Sequence, residues 1–222
     1  MIVMTELVFI LDRSTSMKKL VSDTIDGFNS MIKRQQDETD GNALVSTILF
    51  NQQSFVLHDR IPLADIKPLT ENDCPVGGVT ALLDAVGNAV KHIRNIHKYA
   101  CQENHPRKTL FVIITDGKDN YSRLFSYYEI KRLIEQQKEI GWEFIFLGAN
   151  IDAVEVAGHI GIDTRRAVNY HADSRGTREV YGAISNFAQA FASAPAFEMN
   201  GLFADGSWRE DIDKDFLDRI KK

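Results

Sequence analysis

The chain has 222 residues, 44% of them hydrophobic and 26% charged, an ordinary globular composition that excludes disorder and coiled coil. Against 31 Asp and Glu stand 26 Lys and Arg, a formal net charge of −5, which disfavours a generic grip on nucleic acid. A chain this long can bury roughly 70% of its unfolded surface, so it needs no disulfide or metal staple to fold. Its two cysteines, Cys74 and Cys101, form no CxxC and read as reduced, buried thiols, with one structural disulfide as the alternative.

The opening MIVMTELVFILD lacks a basic leader region and a small-residue cleavage site, so it reads as a first strand. Leu7 to Leu11 is apolar at every position, which suits a strand covered on both faces. Val21, Ile25, Phe28 and Ile32 then form one helical stripe, followed by a polar break from Gln35 to Asn42. Val45 to Phe50 is a second strand, and Asn51 to Ser54 turns it back into Phe55-Val56-Leu57 as an antiparallel edge strand. Residues 59 to 79 read as irregular, and so long a segment inside a domain is often functional.

Thr80 opens a second helix with Leu82, Leu83, Val86, Val90 and Ile93 on its buried stripe. Lys108 to Thr115 is a central strand ending at Asp116-Gly117. A third helix runs from Tyr127 to Glu139, another buried strand from Trp142 to Leu147, and a short helix from Ile151 to His159. Ala167 to Tyr170 reads as the last strand, and Val180, Ile184, Phe187 and Phe191 mark a further helix. No apolar run approaches the roughly 20 residues that span a bilayer, so the expected location is cytoplasmic. The alternation predicts an α/β fold: a doubly wound, mostly parallel open sheet, Rossmann-like, with helices on both faces and one antiparallel edge strand. The predicted division is a domain over 1–194 and a C-terminal arm over 195–222. In that arm Phe216, Leu217 and Ile220 sit at helical spacing and suggest a short helix packed on the domain.

In such sheets ligands bind beyond the carboxyl ends of the strands. Three polar clusters fall at that edge: Asp12-x-Ser14-x-Ser16, Gly77-Gly78-Val79-Thr80 and Asp116-Gly117. Taken singly, each has a plain structural reading, as a helix cap or a turn. Taken together they offer only oxygen ligands, which select a hard cation such as Mg²⁺ or Mn²⁺ over Zn²⁺ or Cu²⁺. Two aspartates balance a divalent charge and leave a coordination position for one further anion. Asp84, one turn after Thr80, and Asp119 are candidates for supporting the site loops from behind, although Asp119 also reads as an exposed residue. Arg13 and Lys118 flank the aspartates and could steer acidic partners. His92, His97 and His105 lack metal-ligand spacing.

The run Asp12-Arg13-Ser14-Thr15-Ser16-Met17, with Gly77-Gly78-Val79-Thr80-Ala81-Leu82 and Thr115-Asp116-Gly117, resembles the von Willebrand factor A (vWA) domain, and more narrowly its short, cytosolic bacterial members. The resemblance covers residues 5 to 192. It implies a metal-ion-dependent adhesion site (MIDAS) in which Asp12, Ser14, Ser16, Thr80 and Asp116 hold Mg²⁺, with Mn²⁺ or Ca²⁺ as alternatives. On that pattern the protein is a non-enzymatic binding module whose ion takes an Asp or Glu from a partner protein, in a stress-response or modification assembly. The competing readings are a metal-dependent hydrolase or phosphatase-like enzyme and a scaffold with a degenerate metal site. Phosphoryl transfer by an aspartate nucleophile needs a second acid two residues after Asp12, where this chain has Ser14, and the P-loop and GxGxxG motifs are missing.

Overall fold

The computed structural model describes residues 4–38, 42–101, 105–195 and 201–220. Strands β1 (Thr5–Asp12), β2 (Ala43–Phe50), β3 (Ser54–Pro62), β4 (Lys108–Thr115), β5 (Trp142–Ala149) and β6 (Ala167–Tyr170) form one sheet in the order β3-β2-β1-β4-β5-β6. Every pairing is parallel except that of β3 with β2. Helices α1 (Val21–Glu38), α2 (Leu82–Tyr99), α3 (Tyr127–Glu139), α4 (Ala153–His159), α5 (Ser174–Ser193) and α6 (Glu210–Ile220) cover it. The fold is therefore α/β, with a doubly wound, mostly parallel sheet and one antiparallel edge strand.

The uninterrupted apolar run of β1 has a direct cause. Side chains alternate along a strand, so a sheet covered on both faces needs apolar residues at every position. Leu7, Phe9 and Leu11 face a core built with Phe28 and Ile32 of α1 and Ile184, Phe187 and Phe191 of α5. Val8 and Ile10 face a second core with Val86, Val90 and Ile93 of α2, Ile130 and Ile134 of α3 and Val156 of α4. The chain winds outward from β1 through β2 to β3, then restarts at β4 on the other side of β1. That reversal sets the carboxyl ends of β1 and β4 apart from their crossover helices and opens a crevice between them.

Several boundaries differ from the sequence reading. Helix α1 continues through Gln35, which is buried and donates through Nε2 to the carbonyl of Ser185 (2.8 Å). Of the predicted polar break, residues 39–41 lie outside the described residues. Strand β3 runs on to Pro62, because register shifts between Val45 and Ile48 of its neighbour obscure its alternation. Helix α2 starts at Leu82 with Ala81 at its N-cap, so Thr80 does not open it. Both thiols are free, but Cys101 is exposed, because it follows the end of α2 at the surface; only Cys74 is buried.

Residues 201–220 pack against α5 and β6. Trp208 is buried beside Phe187 and Phe203, and its Nε1 donates to the carbonyl of Arg165 (3.0 Å). Arg209 donates to the carbonyl of Ala167 (2.5 Å), and Arg219 pairs with Asp173. The stripe that holds α6 is not the expected one. Ile212 is buried and Phe216 stacks on His171, whereas Leu217 and Ile220 stand exposed. Trp208→Phe keeps the ring packing but loses the indole hydrogen bond; urea denaturation is expected to show a loss of about 1 kcal/mol.

Candidate metal centre

Strand β1 delivers Asp12 at its last position, and its carboxylate is held on both sides. Oδ1 accepts from the Ser14 amide (2.7 Å), and Oδ2 accepts from the hydroxyl of Thr115 (2.6 Å) at the end of β4. The Ser14 and Ser16 hydroxyls lie 3.0 Å apart, and Ser16 donates to Asp116 Oδ1 at 2.5 Å. Asp12, Ser14, Ser16 and Asp116 thus form one hydrogen-bonded chain across the crevice. Thr80 makes no hydrogen bond to that chain through its hydroxyl, but it faces the same space. A Cβ on Gly117 would stand 3.4 Å from Thr80 Oγ1 and 3.9 Å from Ser16 Oγ. Glycine at 117 keeps this space open.

The loops that carry these oxygens are tied together by backbone. Thr15 donates through its amide (3.1 Å) and hydroxyl (2.8 Å) to the carbonyl of Gly78, and the Gly77 amide donates to the carbonyl of Arg13 (2.9 Å). Gly78 has φ of +82°, a conformation that L side chains rarely adopt, so glycine is required there. Asn51 donates through Nδ2 to the Gly77 carbonyl (2.8 Å) and accepts the Ala81 amide on its own carbonyl (2.9 Å). Asn120 Oδ1 accepts from the Thr80 amide (2.9 Å), while the Asn120 amide donates to the Thr80 carbonyl (3.0 Å).

Asp84 accepts the backbone amides of Arg123, Leu124 and Phe125 at 2.9 to 3.1 Å. Asp119 is half-buried; it accepts the Leu83 amide (3.3 Å) and the Ser122 hydroxyl (2.5 Å). Both therefore shape the loop after Asp116. Thr115, Asn51 and Asn120 are the site residues that sequence reasoning missed. The signal for Thr115 was a hydroxyl at the strand end directly before Asp116; the two asparagines gave none beyond their place in loops.

Asp12, Ser14, Thr80 and Asp116 are buried, and Ser16 is exposed. Burial pushes the carboxyls of Asp12 and Asp116 above the ordinary carboxylate range, against the pull of their hydrogen bonds. Neither forms an ion pair with a basic side chain among the described residues. Two desolvated carboxylates with no counter-charge, joined by hydroxyls, are a donor set that fits a hard divalent cation. Among the described residues no three His, Cys, Asp or Glu side chains are grouped to hold a metal, so an ion here depends on the hydroxyls beside the two aspartates. His97 and His105 bring their rings within 4.7 Å at the opposite end of the sheet, where His97 Nε2 contacts the buried Glu6. Lys118 lies 3.6 Å from Glu155 at the start of α4.

No family model matches the chain, and no curated protein matches it. Solved structures do. The vWF domain of the type V pilus tip protein Mfa5 from Porphyromonas gingivalis aligns with a TM-score of 0.61 at 10% identity, over 88% of this chain and 98% of that one. The VWA domain of SpRpn10 aligns at 0.58 and 11%, over 82% and 95%. Proximal thread matrix protein 1 of the mussel byssus, in a structure with a zinc-occupied MIDAS motif, aligns at 0.57 and 15% over 84% of this chain; the chain spans about half of that protein (48%). At 10 to 15% identity these likenesses establish architecture, and the architecture is that of a von Willebrand factor A domain.

Proposed function

We propose that this protein is a binding module that grips another protein through a divalent cation at the carboxyl edge of β1 and β4. The observation that carries the reading is the pair of buried carboxylates, Asp12 and Asp116, which have no basic partner among the described residues and are linked through Ser14 and Ser16. Asp12, Ser14, Ser16, Thr80 and Asp116 would hold the ion, with Asp84 and Asp119 fixing the loops behind them. Mg²⁺ is the preferred ion because every donor is oxygen. When bound, the ion supplies a coordination position for a carboxylate of the partner. Three neighbours of the same fold are named as a pilus tip protein, a pilus adhesin and a byssal matrix protein, which accords with binding over catalysis.

We also propose residues 1–194 as the binding domain and 195–222 as an arm docked on it. The two free cysteines accord with a reducing, cytoplasmic location. Among the described residues no helix is long and apolar enough to cross a membrane.

Mg²⁺ or Mn²⁺ is expected to raise the melting temperature, and Asp12→Ala to abolish the rise. Free metal at about ten times its Kd should stabilise the fold by about 1.4 kcal/mol. Calorimetry with metal and with EDTA tests this; identical melting temperatures in both would overturn the metal reading.

A further inference from the structure

At the amino end of the sheet, opposite the metal oxygens, α2 and α3 both end beside a cavity of about 340 Å³. Its wall includes Arg94, His97, Lys98, His105, Gln137 and Trp142. Two of these side chains carry a buried polar atom with no hydrogen-bond partner among the described residues: Nδ1 of His97 and Oε1 of Gln137. Both residues are more than nine-tenths buried, His97 at 7% exposure and Gln137 at 3%. Buried polar atoms are nearly always paired, so two bare ones on one cavity point to something that fills it.

The proton on each nearby imidazole is placed by an oxygen that can only accept. His97 Nε2 faces the carboxylate of the buried Glu6, whose other oxygen accepts from Arg60 (2.8 Å). His105 Nδ1 faces the Pro106 carbonyl (2.9 Å). Each ring therefore keeps its hydrogen on that nitrogen and presents a lone pair on the other, Nδ1 of His97 and Nε2 of His105. Metal-bound histidines are oriented in this way, one nitrogen donating to a carboxylate or a carbonyl and the other left for the ion. The two ring centres lie 4.7 Å apart, with planes tilted by 51°. Two imidazoles on one tetrahedral or octahedral ion, with metal–nitrogen bonds of about 2.0–2.1 Å, have centres about 4.5 to 5.2 Å apart. Spacing along the chain hid this pair: eight residues of continuous helix would separate them by about 12 Å, but α2 ends at Tyr99 and His105 comes back over His97.

The geometry points to a second metal site here, for a divalent ion of the zinc class, with His97 Nδ1 and His105 Nε2 as ligands and water completing the shell beside the Gln137 oxygen. Imidazole nitrogen selects zinc, nickel or copper over magnesium and calcium. Arg94 and Lys98 on the same wall disfavour any cation held by charge alone. A small organic anion is the rival occupant, because those two side chains could receive it. It would, however, set its negative charge against the bare His97 and Gln137 lone pairs and the carbonyl ends of α2 and α3, where positive charge is favoured. The ion would clamp the end of α2 to the segment that leads into β4. This site shares no residue with the oxygens at Asp12 and Asp116, so either metal reading can fail alone.

Long-range proton–nitrogen correlation spectra of the full chain, recorded in excess magnesium, test this. Without zinc they are expected to show His97 protonated at Nε2 and His105 at Nδ1. As zinc is added, the resonances of His97 Nδ1 and His105 Nε2 should shift together. Calorimetry in the Asp12→Ala background, which disables the oxygen site, gives the affinity of this one. Adding His105→Ala is expected to weaken zinc binding at least about tenfold, and that exposed residue can be changed without touching the Glu6–His97 contact. Ring nitrogens that do not move with zinc, movement of only one ring, or undiminished affinity in His105→Ala would each overturn the proposal. So would a His97 Nδ1 shift produced by inorganic phosphate and not by zinc, which would assign the cavity to an anion.

Discussion

Val86→Asp is expected to abolish the cooperative unfolding transition. Val86 is fully buried on the face of α2 that packs against the sheet, in the same apolar core as Val8, Ile10 and Ile113. An unpaired carboxylate there costs more than about 4 kcal/mol. That is comparable with the 5–15 kcal/mol by which whole domains are stable. Asn88→Asp, two residues on and exposed, is expected to change stability by less than about 0.5 kcal/mol. Circular dichroism against urea separates the two; a sigmoidal Val86→Asp curve with a wild-type midpoint would contradict the packing of α2.

Asp116→Ala should act in the opposite manner, removing function while leaving the fold. The residue lies beyond the end of β4, where its side chain accepts from the Ser16 hydroxyl. Capture of a partner is expected to fall at least about a hundredfold, or about 2.7 kcal/mol, in magnesium, since one of two charges holding the ion is gone. Wild type in EDTA should fall to the same level. Equal capture in all four combinations of protein and metal state would show that binding bypasses this edge.

The same residue carries a pH signature. Burial raises the Asp116 carboxyl above its ordinary value, so the folded metal-free protein holds that proton more tightly than the unfolded chain. Its contribution is present below the unfolded carboxylate value and is lost as pH rises through the folded one. Asp116→Asn should therefore melt higher than wild type at neutral pH in EDTA, and lower in saturating magnesium. A reversal of order between the two conditions is the expected calorimetric result.

Strands β1, β4 and β5 were legible because a sheet covered on both faces demands apolar runs, and few other structures do. Helices α1, α2, α3 and α5 were legible by stripe. The expected oxygens of the site could be gathered because doubly wound topology brings the ends of β1 and β4 together, whatever their separation in sequence. What escaped was decided by tertiary partners. Gln35 read as the start of a break, yet the Ser185 carbonyl gives its amide a buried partner. Leu217 and Ile220 matched a helical stripe, yet Trp208, Ile212 and Phe216 do the packing. Thr115 read as one more strand residue, because nothing local shows that its hydroxyl reaches Asp12 on the neighbouring strand. Asp84 was legible as a candidate only through its position one turn after Thr80; that it braces three amides of another loop is a fact of three dimensions.

The two borders of the sheet are finished differently, and this has a consequence for how the molecule avoids self-association. At β3 the outer border is blunted from within: the pairing slips out of register, Arg60 takes φ of +52°, and Pro62 ends the strand without an amide hydrogen. Strand β6 has only four residues and no such irregularity; its protection is external, from Arg209 on the Ala167 carbonyl and Trp208 on the carbonyl of Arg165 nearby. Cutting the chain ahead of residue 201 would strip that cover and bare the aromatic face of Phe187 beside it. A shortened protein of this kind should stick to copies of itself, by strand addition or by exchange of the missing segment, even where its binding edge is intact. The segment from 201 to 220 thus serves as a guard on the sheet's last open border, and a fragment that lacks it is expected to invite fibres.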